Sequence, residues 1–510
     1  MDRQLWVACV AILLILIRLL HLSYVNGKRR LPLPPGPDGL PLIGSVLQVP
    51  FDYQHVTFAK WRKQYGDIIH ARFFQKDVII LNSVRSARDL LDKRGQKYSD
   101  RPRLVMFNEL MYVFHPNLST MRYGERWRQH RGWYQTALQT RNALNSYQPL
   151  QEKEARKFLS ALTCTPDVFI SHISRFAGST LLQIAYGYSD DEFIHMADKV
   201  NTDIMEVGGA GATVVDFFPI LKYLPTWMPG TGFKRKALQA RDAGLISRTV
   251  PFERVKKDIA SGTAKPSFTR NLLEKNASVD SESFEFEVKG AASVIYGAGT
   301  DTTITSITIF VLAMVLNPEV YKKAQAELDD VVGRKRLPNL SDRNSLPYLD
   351  CVLKEVYRWG SPVPLGLPHG LVEDDEYRGY HIPRGAMVLA NIWAMGRDPE
   401  VYPDPEIFSP ERYQNVQPDV EDLMDPRKTI FGFGRRICPG RLLADASVWI
   451  AAASILATMT ISKAHDANGN EIVPEAAFVS GTVIHPKPFQ CDIRPRSAEA
   501  MNLIMTEAHE

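Results

Sequence analysis

The stretch Thr429 to Leu443, TIFGFGRRICPGRLL, sets one cysteine among glycines and arginines just ahead of an apolar helical pattern. Cys438 has no CxxC partner. The nearest other cysteines are Cys351 and Cys491, which argues against a structural zinc site. A lone thiolate is still a good ligand for a haem iron, to which it donates electron density that favours O–O cleavage. Its neighbours suit that chemistry. Gly434 permits a tight turn at positive φ, and Gly440 would let backbone approach a flat macrocycle. Phe431 can shield the sulfur from water, and Arg436 can pair with a propionate carboxylate. The run Arg441 to Met459 reads as a helix, so Cys438 lies near its positive end, which predicts a lowered thiol pKa.

Other residues at chemical spacing lie upstream. Phe286 to Leu316 is a long helical pattern, apolar enough to imitate a membrane span, but Asp301 and the threonines around it argue for a buried helix. Within it stand Ala298-Gly299-Thr300-Asp301-Thr302. Gly297 and Gly299 are poor mid-helix residues whose use would be to let a ligand approach the backbone, and Thr302 can bond a carbonyl one turn back. Trp127 and Arg131, four apart in Glu125 to Thr136, share one helix face. Glu355 and Arg358, three apart, can pair on a helix, with Arg412 a possible third member.

The pattern Phe-x-x-Gly-x-Arg-x-Cys-x-Gly, with Phe431, Gly434, Arg436, Cys438 and Gly440 in place, resembles the haem-binding signature of the cytochromes P450. Trp127/Arg131, Ala298 to Thr302, Glu355/Arg358 and Arg412 follow that family's order and spacing, and the resemblance covers about Pro32 to Pro495. The spelling FGFGRRICPG is most similar to fungal secondary-metabolism members of the kind of O-methylsterigmatocystin oxidoreductase. The resemblance implies a mainly α P450 fold with a small β-rich region near 45–90 and 361–400. It implies haem b with Cys438 as axial ligand, and propionate contacts from Arg436, Trp127, Arg131 and His369. It also implies a buried ion network of Glu355, Arg358 and Arg412, and proton transfer by Asp301 and Thr302.

The elements that must position these groups are partly readable. Ile68 to Phe74 and Val78 to Leu81 read as strands, as does Tyr380 to Ala390 around a turn at Pro383-Arg384-Gly385. Val84 to Leu91 reads as a helix capped by Ser83, and Asn317-Pro318 as the start of another. Three prolines forbid a helix in Ser361 to His369. Asn201 to Arg248 looks irregular and lid-like, 276–285 a solvated loop, 476–491 a hairpin, and the stretch from Ala498 a loose tail.

Organisation and composition bound the rest. Leu5 to Tyr24 is long and apolar enough for one membrane crossing, and Lys28, Arg29 and Arg30 then predict a cytosolic bulk. This gives an anchor over 1–30, a Pro/Gly hinge over 31–44 and a catalytic domain over 45–510. Of 510 residues 45% are hydrophobic, which excludes a disordered chain, and a net charge of +4 is too weak to argue for nucleic acid. Five scattered cysteines argue against a disulfide framework. No GxGxxG or Walker loop stands in the sequence, so electrons must come from outside. The implied activity is insertion of one oxygen atom from O2 into an apolar small molecule. The implied partner is NADPH–cytochrome P450 reductase, docking near Arg126, Arg128, Arg435 and Arg441 at the endoplasmic reticulum membrane. Its rivals are a P450-fold isomerase or dehydratase acting on a peroxide, and a non-catalytic haem protein.

Overall fold

Two helices carry the centre of the molecule, and both are built from sequence that is apolar on every side. In the computed structural model, which describes residues 31–111, 116–206, 213–276 and 282–507, Glu282–Leu316 and Arg441–Thr458 are long and apolar enough to cross a membrane. Both instead lie mostly buried in the protein. The anchor reading of Leu5 to Tyr24, with Lys28 to Arg30, falls outside the described residues.

The longer helices, in chain order, are α1 (Gln54–Tyr65), α2 (Glu125–Leu138), α3 (Arg141–Cys164), α4 (Phe169–Tyr186), α5 (Asp191–Glu206) and α6 (Gly232–Ala260). They continue with α7 (Phe268–Lys275), α8 (Glu282–Leu316), α9 (Pro318–Val331), α10 (Pro347–Gly360), α11 (Arg441–Thr458) and α12 (Ala498–Glu507). Phe310 and Leu312 of α8, Leu349 and Val352 of α10 and Trp449 and Ile450 of α11 are fully or almost fully buried in one core. Each such side chain stabilises the fold by about 1.5–3 kcal/mol through burial. α4 crosses α8 so closely that a Cβ on Gly299 would come within 2.8 Å of Leu181. Gly299 therefore serves helix packing, and it also lines the cavity described below.

Two sheets flank the helices. In the first, β1 (Ile68–Phe73) pairs antiparallel with β2 (Lys76–Leu81), which pairs parallel with β6 (Met387–Ala390), which pairs antiparallel with β3 (His369–Gly370). The second joins β11 (Cys491–Pro495), β7 (Met459–His465) and β8 (Glu471–Ile472). The small ladders β4 (Asp375–Tyr377) with β5 (Tyr380–Ile382), and β9 (Phe478–Val479) with β10 (His485–Pro486), complete the strands. The hairpin in 476–491 is thus present, whereas Tyr380 to Ala390 supplies strands to two different ladders.

Several local expectations are corrected. The irregular stretch ends well before Arg248, because Gly232 onward forms α6, whose Ala237, Ala240 and Phe252 are buried. α8 begins at Glu282, inside the supposed loop, with Glu282 and Glu285 favouring its positive end. The tail from Ala498 is α12, held by buried Ala500 and Ile504. Asn317 does not cap α9 with its side chain; its Nδ2 donates to Ala313 O and closes the end of α8. Ser83 does cap the following turn, accepting from the Ser86 N–H at 3.1 Å.

Candidate active site

A cavity of about 300 Å³ lies between α8, α11 and the cysteine loop. Cys438, Phe431, Gly440, Arg436, Trp127, Arg131, His369 and Thr302 all line it. The Cys438 N–H donates to Phe431 O at 2.7 Å, closing the loop on itself. Gly434 takes φ +54°, and a Cβ there would strike the Leu91 carbonyl, so this turn needs glycine. Phe431 meets Tyr357 of α10 edge to face at 6.2 Å. Cys438 is the only cysteine among the described lining residues.

The helix end does not win the thiol's pKa. Burial pushes Cys438 up, while the Gly440 N–H, Arg131 and Arg441 pull it back without overcoming burial. The expectation of a lowered value is corrected: taking charge out of water costs more than the first amides of α11 return.

One edge of the cavity is cationic. Arg101, Arg131 and Arg436 line it, and no aspartate or glutamate stands among the described lining residues. Their partners are carbonyl oxygens. Arg131 donates to Ile437 O at 2.5 Å. Arg436 donates to Ser99 O at 2.6 Å and Met121 O at 2.8 Å, and lies over the Trp127 ring at 4.8 Å. Arg101 donates to Leu367 O at 2.8 Å and Pro368 O at 2.7 Å. Burial pushes Arg436 down to about 10 and lowers Arg101 and Arg131 as well. The Trp127 Nε1–H is buried without a partner. His369 Nδ1 bonds Tyr98 O at 2.7 Å, and burial, then Arg101, pushes it down to about 3. The ring is therefore neutral, with Nδ1–H as donor.

Arg101 escaped the sequence reading. Between Asp100 and Pro102 it looks like loop. The fold places it by a bridge between Asp100 and Gly370, the residue after His369, and a Cβ on Gly370 would crowd the Arg101 backbone at 3.0 Å. Asp100 itself is taken by Arg122 and by the Tyr123 N–H.

The remaining candidates lie elsewhere. Thr302 Oγ1 donates to Ala298 O at 3.0 Å, one turn back. Asp301 is not a lining residue. Adjacent helical residues point about 100° apart, so the two cannot share a face. Asp301 Oδ1 instead meets His485 at 3.2 Å, and Oδ2 is buried without a hydrogen-bond partner. Glu355 and Arg358 are fully buried, 2.7 Å apart, and Arg412 Nε donates to Glu355 Oε1 at 3.0 Å. Arg358 also donates to Gly396 O and Pro405 O, so the set ties α10 to the meander before the cysteine loop.

The family model for cytochrome P450 matches residues 34–493. The chain belongs to the cytochrome P450 family. This P450 is 48% identical to cytochrome P450 monooxygenase 176 of Postia placenta, over 94% of each chain. It is 43% identical to cytochrome P450 monooxygenase claR of Ampulloclitocybe clavipes, over 94% of this chain and 89% of that one. It is 40% identical to tryptamine 4-monooxygenase of Psilocybe cyanescens, over 94% and 97%. P450s use haem held by a cysteine thiolate, take electrons from a redox partner and act on small molecules. The donor set fits that group. A flat ring bearing two carboxylates would find three unneutralised guanidinium groups and the Trp127 N–H at one edge, and a thiol at the iron.

Proposed function

We propose that this P450 inserts one oxygen atom from O2 into a largely apolar, uncharged molecule, of terpenoid or polyketide type, in secondary-metabolite formation. The observation that carries this reading is the apolar part of the cavity's lining. Val294, Ala298, Leu181, Val363 and Leu367 stand there with Thr302, and no carboxylate is among the described lining residues. A substrate ammonium, such as tryptamine would bring, would go unpaired at a cost of several kcal/mol. The family resemblance implies pocket walls at Met111 to Phe114, Phe217–Phe218, Val294 with Ala298, Val363 to Leu367 and Phe478–Val479; of these, 112–114 lie outside the described residues, and Met111, Phe217, Phe218, Phe478 and Val479 do not line this cavity.

Haem bound here supplies oxygen activation, which the Cys438 thiolate promotes by electron donation. The protein's own work is positional. Cys438 would hold the iron as a thiolate, giving up the proton that burial favours. Arg101, Arg131, Arg436 and the Trp127 N–H would hold the propionate edge, and Phe431 would keep water from the sulfur. Thr302 Oγ1, already donating to Ala298 O, keeps its lone pairs for a water at the oxygen site. Asp301 takes up and passes the protons that the reaction consumes, its Oδ2 being buried without a hydrogen-bond partner.

In this reading residues 1–30 anchor the chain in the endoplasmic reticulum membrane with the domain in the cytosol. NADPH–cytochrome P450 reductase docks by acidic groups on Arg126, Arg128 and Arg435, all exposed. Arg128 and Arg435 lie over the Tyr123 ring at 5.9 and 5.4 Å, next to the cysteine loop, while Arg126 is paired with Glu287. The test is reductase-dependent NADPH consumption with product analysis over a panel of terpenoids, polyketides and amines. Oxygenated product from uncharged compounds supports the reading. Turnover of a peroxide without reductase would favour the isomerase, and turnover of ionised compounds only would contradict the pocket assignment.

A further inference from the structure

Asp301 faces away from the cavity, so a proton that it passes inward must first reach it from the opposite side of α8. That side is covered by β10. His485 Nε2 lies 3.2 Å from Asp301 Oδ1, and His485 Nδ1 lies 2.9 Å from Thr305 Oγ1. One ring thus bridges two residues a helical turn apart. The neighbouring hydroxyls of α8 behave differently. Thr300, Thr302, Ser306 and Thr308 each donate to the carbonyl four residues back. Thr305 turns to the imidazole instead.

That arrangement lets the ring change charge without losing either neighbour. With His485 neutral and Nε2–H toward Asp301, Thr305 donates to Nδ1. With His485 protonated, Nδ1–H donates to Thr305, since a hydroxyl serves in either sense. Exposure falls along the chain of groups. The His485 side chain is 39% exposed, Asp301 is 18% exposed, and Asp301 Oδ2 is buried without a partner. The hairpin holds the ring in place. His485 sits opposite Val479 and Pro486 opposite Phe478, which meets Trp359 of α10 at 5.9 Å. The other charged groups around the pair are accounted for. Asp198 of α5 interacts with Asp301, bonds Ser174 of α4 and has His195 beside it. Lys487, two residues past His485, is paired with Glu475 at 3.6 Å.

We infer that His485 is the relay residue that loads Asp301 with protons from solvent. It acts through Asp301 and touches neither haem nor substrate. The inference rests on the monooxygenase reading above, in which Asp301 supplies protons to the cavity. In the step, the Nε2–H bond of the imidazolium breaks and an O–H bond forms on Asp301 Oδ1. The ring is left neutral with its proton on Nδ1, donating to Thr305 Oγ1. Water then returns a proton to Nε2, and Asp301 returns to carboxylate when it passes its proton inward. A histidine is the suitable side chain because its two ring nitrogens can accept a proton at one and hold another at the other.

Two measurements on the haem-loaded protein test this. The first follows the His485 ring by NMR in protein carrying 13C-labelled histidine, as the reduced carbon monoxide complex, in wild type and Asp301→Asn. The carboxylate should hold the imidazolium, so the His485 midpoint should fall in Asp301→Asn. The second is product formed per NADPH across pH, with reductase, in wild type, His485→Gln and His485→Phe. Gln keeps a hydrogen-bond donor toward Asp301 but cannot carry the extra proton. In wild type the yield should fall as pH rises through the NMR midpoint. In both variants it should be several-fold lower with peroxide in its place, and that inflection should be gone, while the carbon monoxide spectrum is unchanged. A midpoint indifferent to Asp301→Asn, or a His485→Gln profile that superimposes on wild type, overturns the assignment. If wild type itself makes no oxygenated product with any substrate, the monooxygenase reading falls and takes this relay with it. A working wild type with an indifferent His485 sinks the relay alone.

Discussion

The Cys438 N–H reaches back 2.7 Å to the carbonyl of Phe431, so the sulfur hangs from an eight-residue loop whose ends are bonded to each other. The loop closes only because Gly434 adopts φ +54° against the Leu91 carbonyl. Gly434→Ala should therefore displace the thiol more than it unfolds the protein. A non-glycine residue held in such a conformation costs about 1–3 kcal/mol before the clash is counted. Haem content per protein should drop sharply while far-UV circular dichroism keeps its helical signal. Full haem content in Gly434→Ala would show that the loop is not what fixes the sulfur.

Glu355 and Arg358 are paired out of water, with Arg412 as a second cation on the same carboxylate. Glu355→Gln leaves two guanidinium groups without a counter-ion. Removing one partner from a buried set costs about 3–5 kcal/mol, so soluble yield and thermal midpoint should both fall. Arg412→Lys, which keeps the charge at the more exposed end, should cost less. Equal losses in the two variants would contradict a network centred on Glu355.

How much of this was legible can be traced residue by residue. The cysteine loop reads directly because each fixed position answers a local need, such as glycine at a positive φ. The strands 68–73 and 76–81 and helix α8 also read well, since their apolar periods coincide with their burial. α6 and α12 did not. Gly232, Gly244 and Pro251 are poor helix residues, and packing of Ala237, Ala240 and Phe252 overrides them. Arg101 and His485 were invisible for another reason. Arg101 is brought in by the bridge between Asp100 and Gly370, and His485, in a local hairpin, by the packing of that hairpin on α8 some 180 residues earlier, which no local spacing encodes. Asp301 was legible as a residue, but its direction was not, because its chain neighbour Thr302 takes the cavity side.

Arg101 and Trp127 give a separate prediction. If their groups hold the propionate edge, Arg101→Ala and Trp127→Phe should each speed haem transfer to a haem-accepting apoglobin. Arg101→Ala should do more, because it removes a buried charge-assisted donor, worth about 1.5–3 kcal/mol. Loss rates equal to wild type in Arg101→Ala would place the carboxylates elsewhere.

Acid stability should report on His55, far from that edge. Burial, helped by Arg397, pushes His55 down to about 4. The unfolded histidine takes up its proton at about 6.5. Between those values the unfolded chain binds more protons, so stability falls as pH falls. The contribution is complete above about 6.5 and is lost toward 4. From pH 6.5 to 5 this is at most about 2 kcal/mol. Thermal unfolding across that range should be flatter in His55→Phe than in wild type. Parallel curves would remove His55 from the acid response.

Proton delivery has its own signature. Thr302→Ala removes the hydroxyl that lines the cavity and leaves the thiol untouched. NADPH and O2 should still be consumed, with peroxide rising and product per NADPH falling, by up to the 10²-fold or so that a positioned proton donor contributes. Unchanged yield would take Thr302 out of the mechanism.

The central assignment is that Cys438, as thiolate, binds the haem iron. The most direct measurement is the absorption spectrum of the reduced, carbon monoxide-bound protein in wild type and Cys438→His. Wild type should show the far-shifted Soret band of thiolate ligation, and Cys438→His, which still binds haem through imidazole, should lose it. A wild type without that band, or a Cys438→His protein that keeps it, would contradict the assignment.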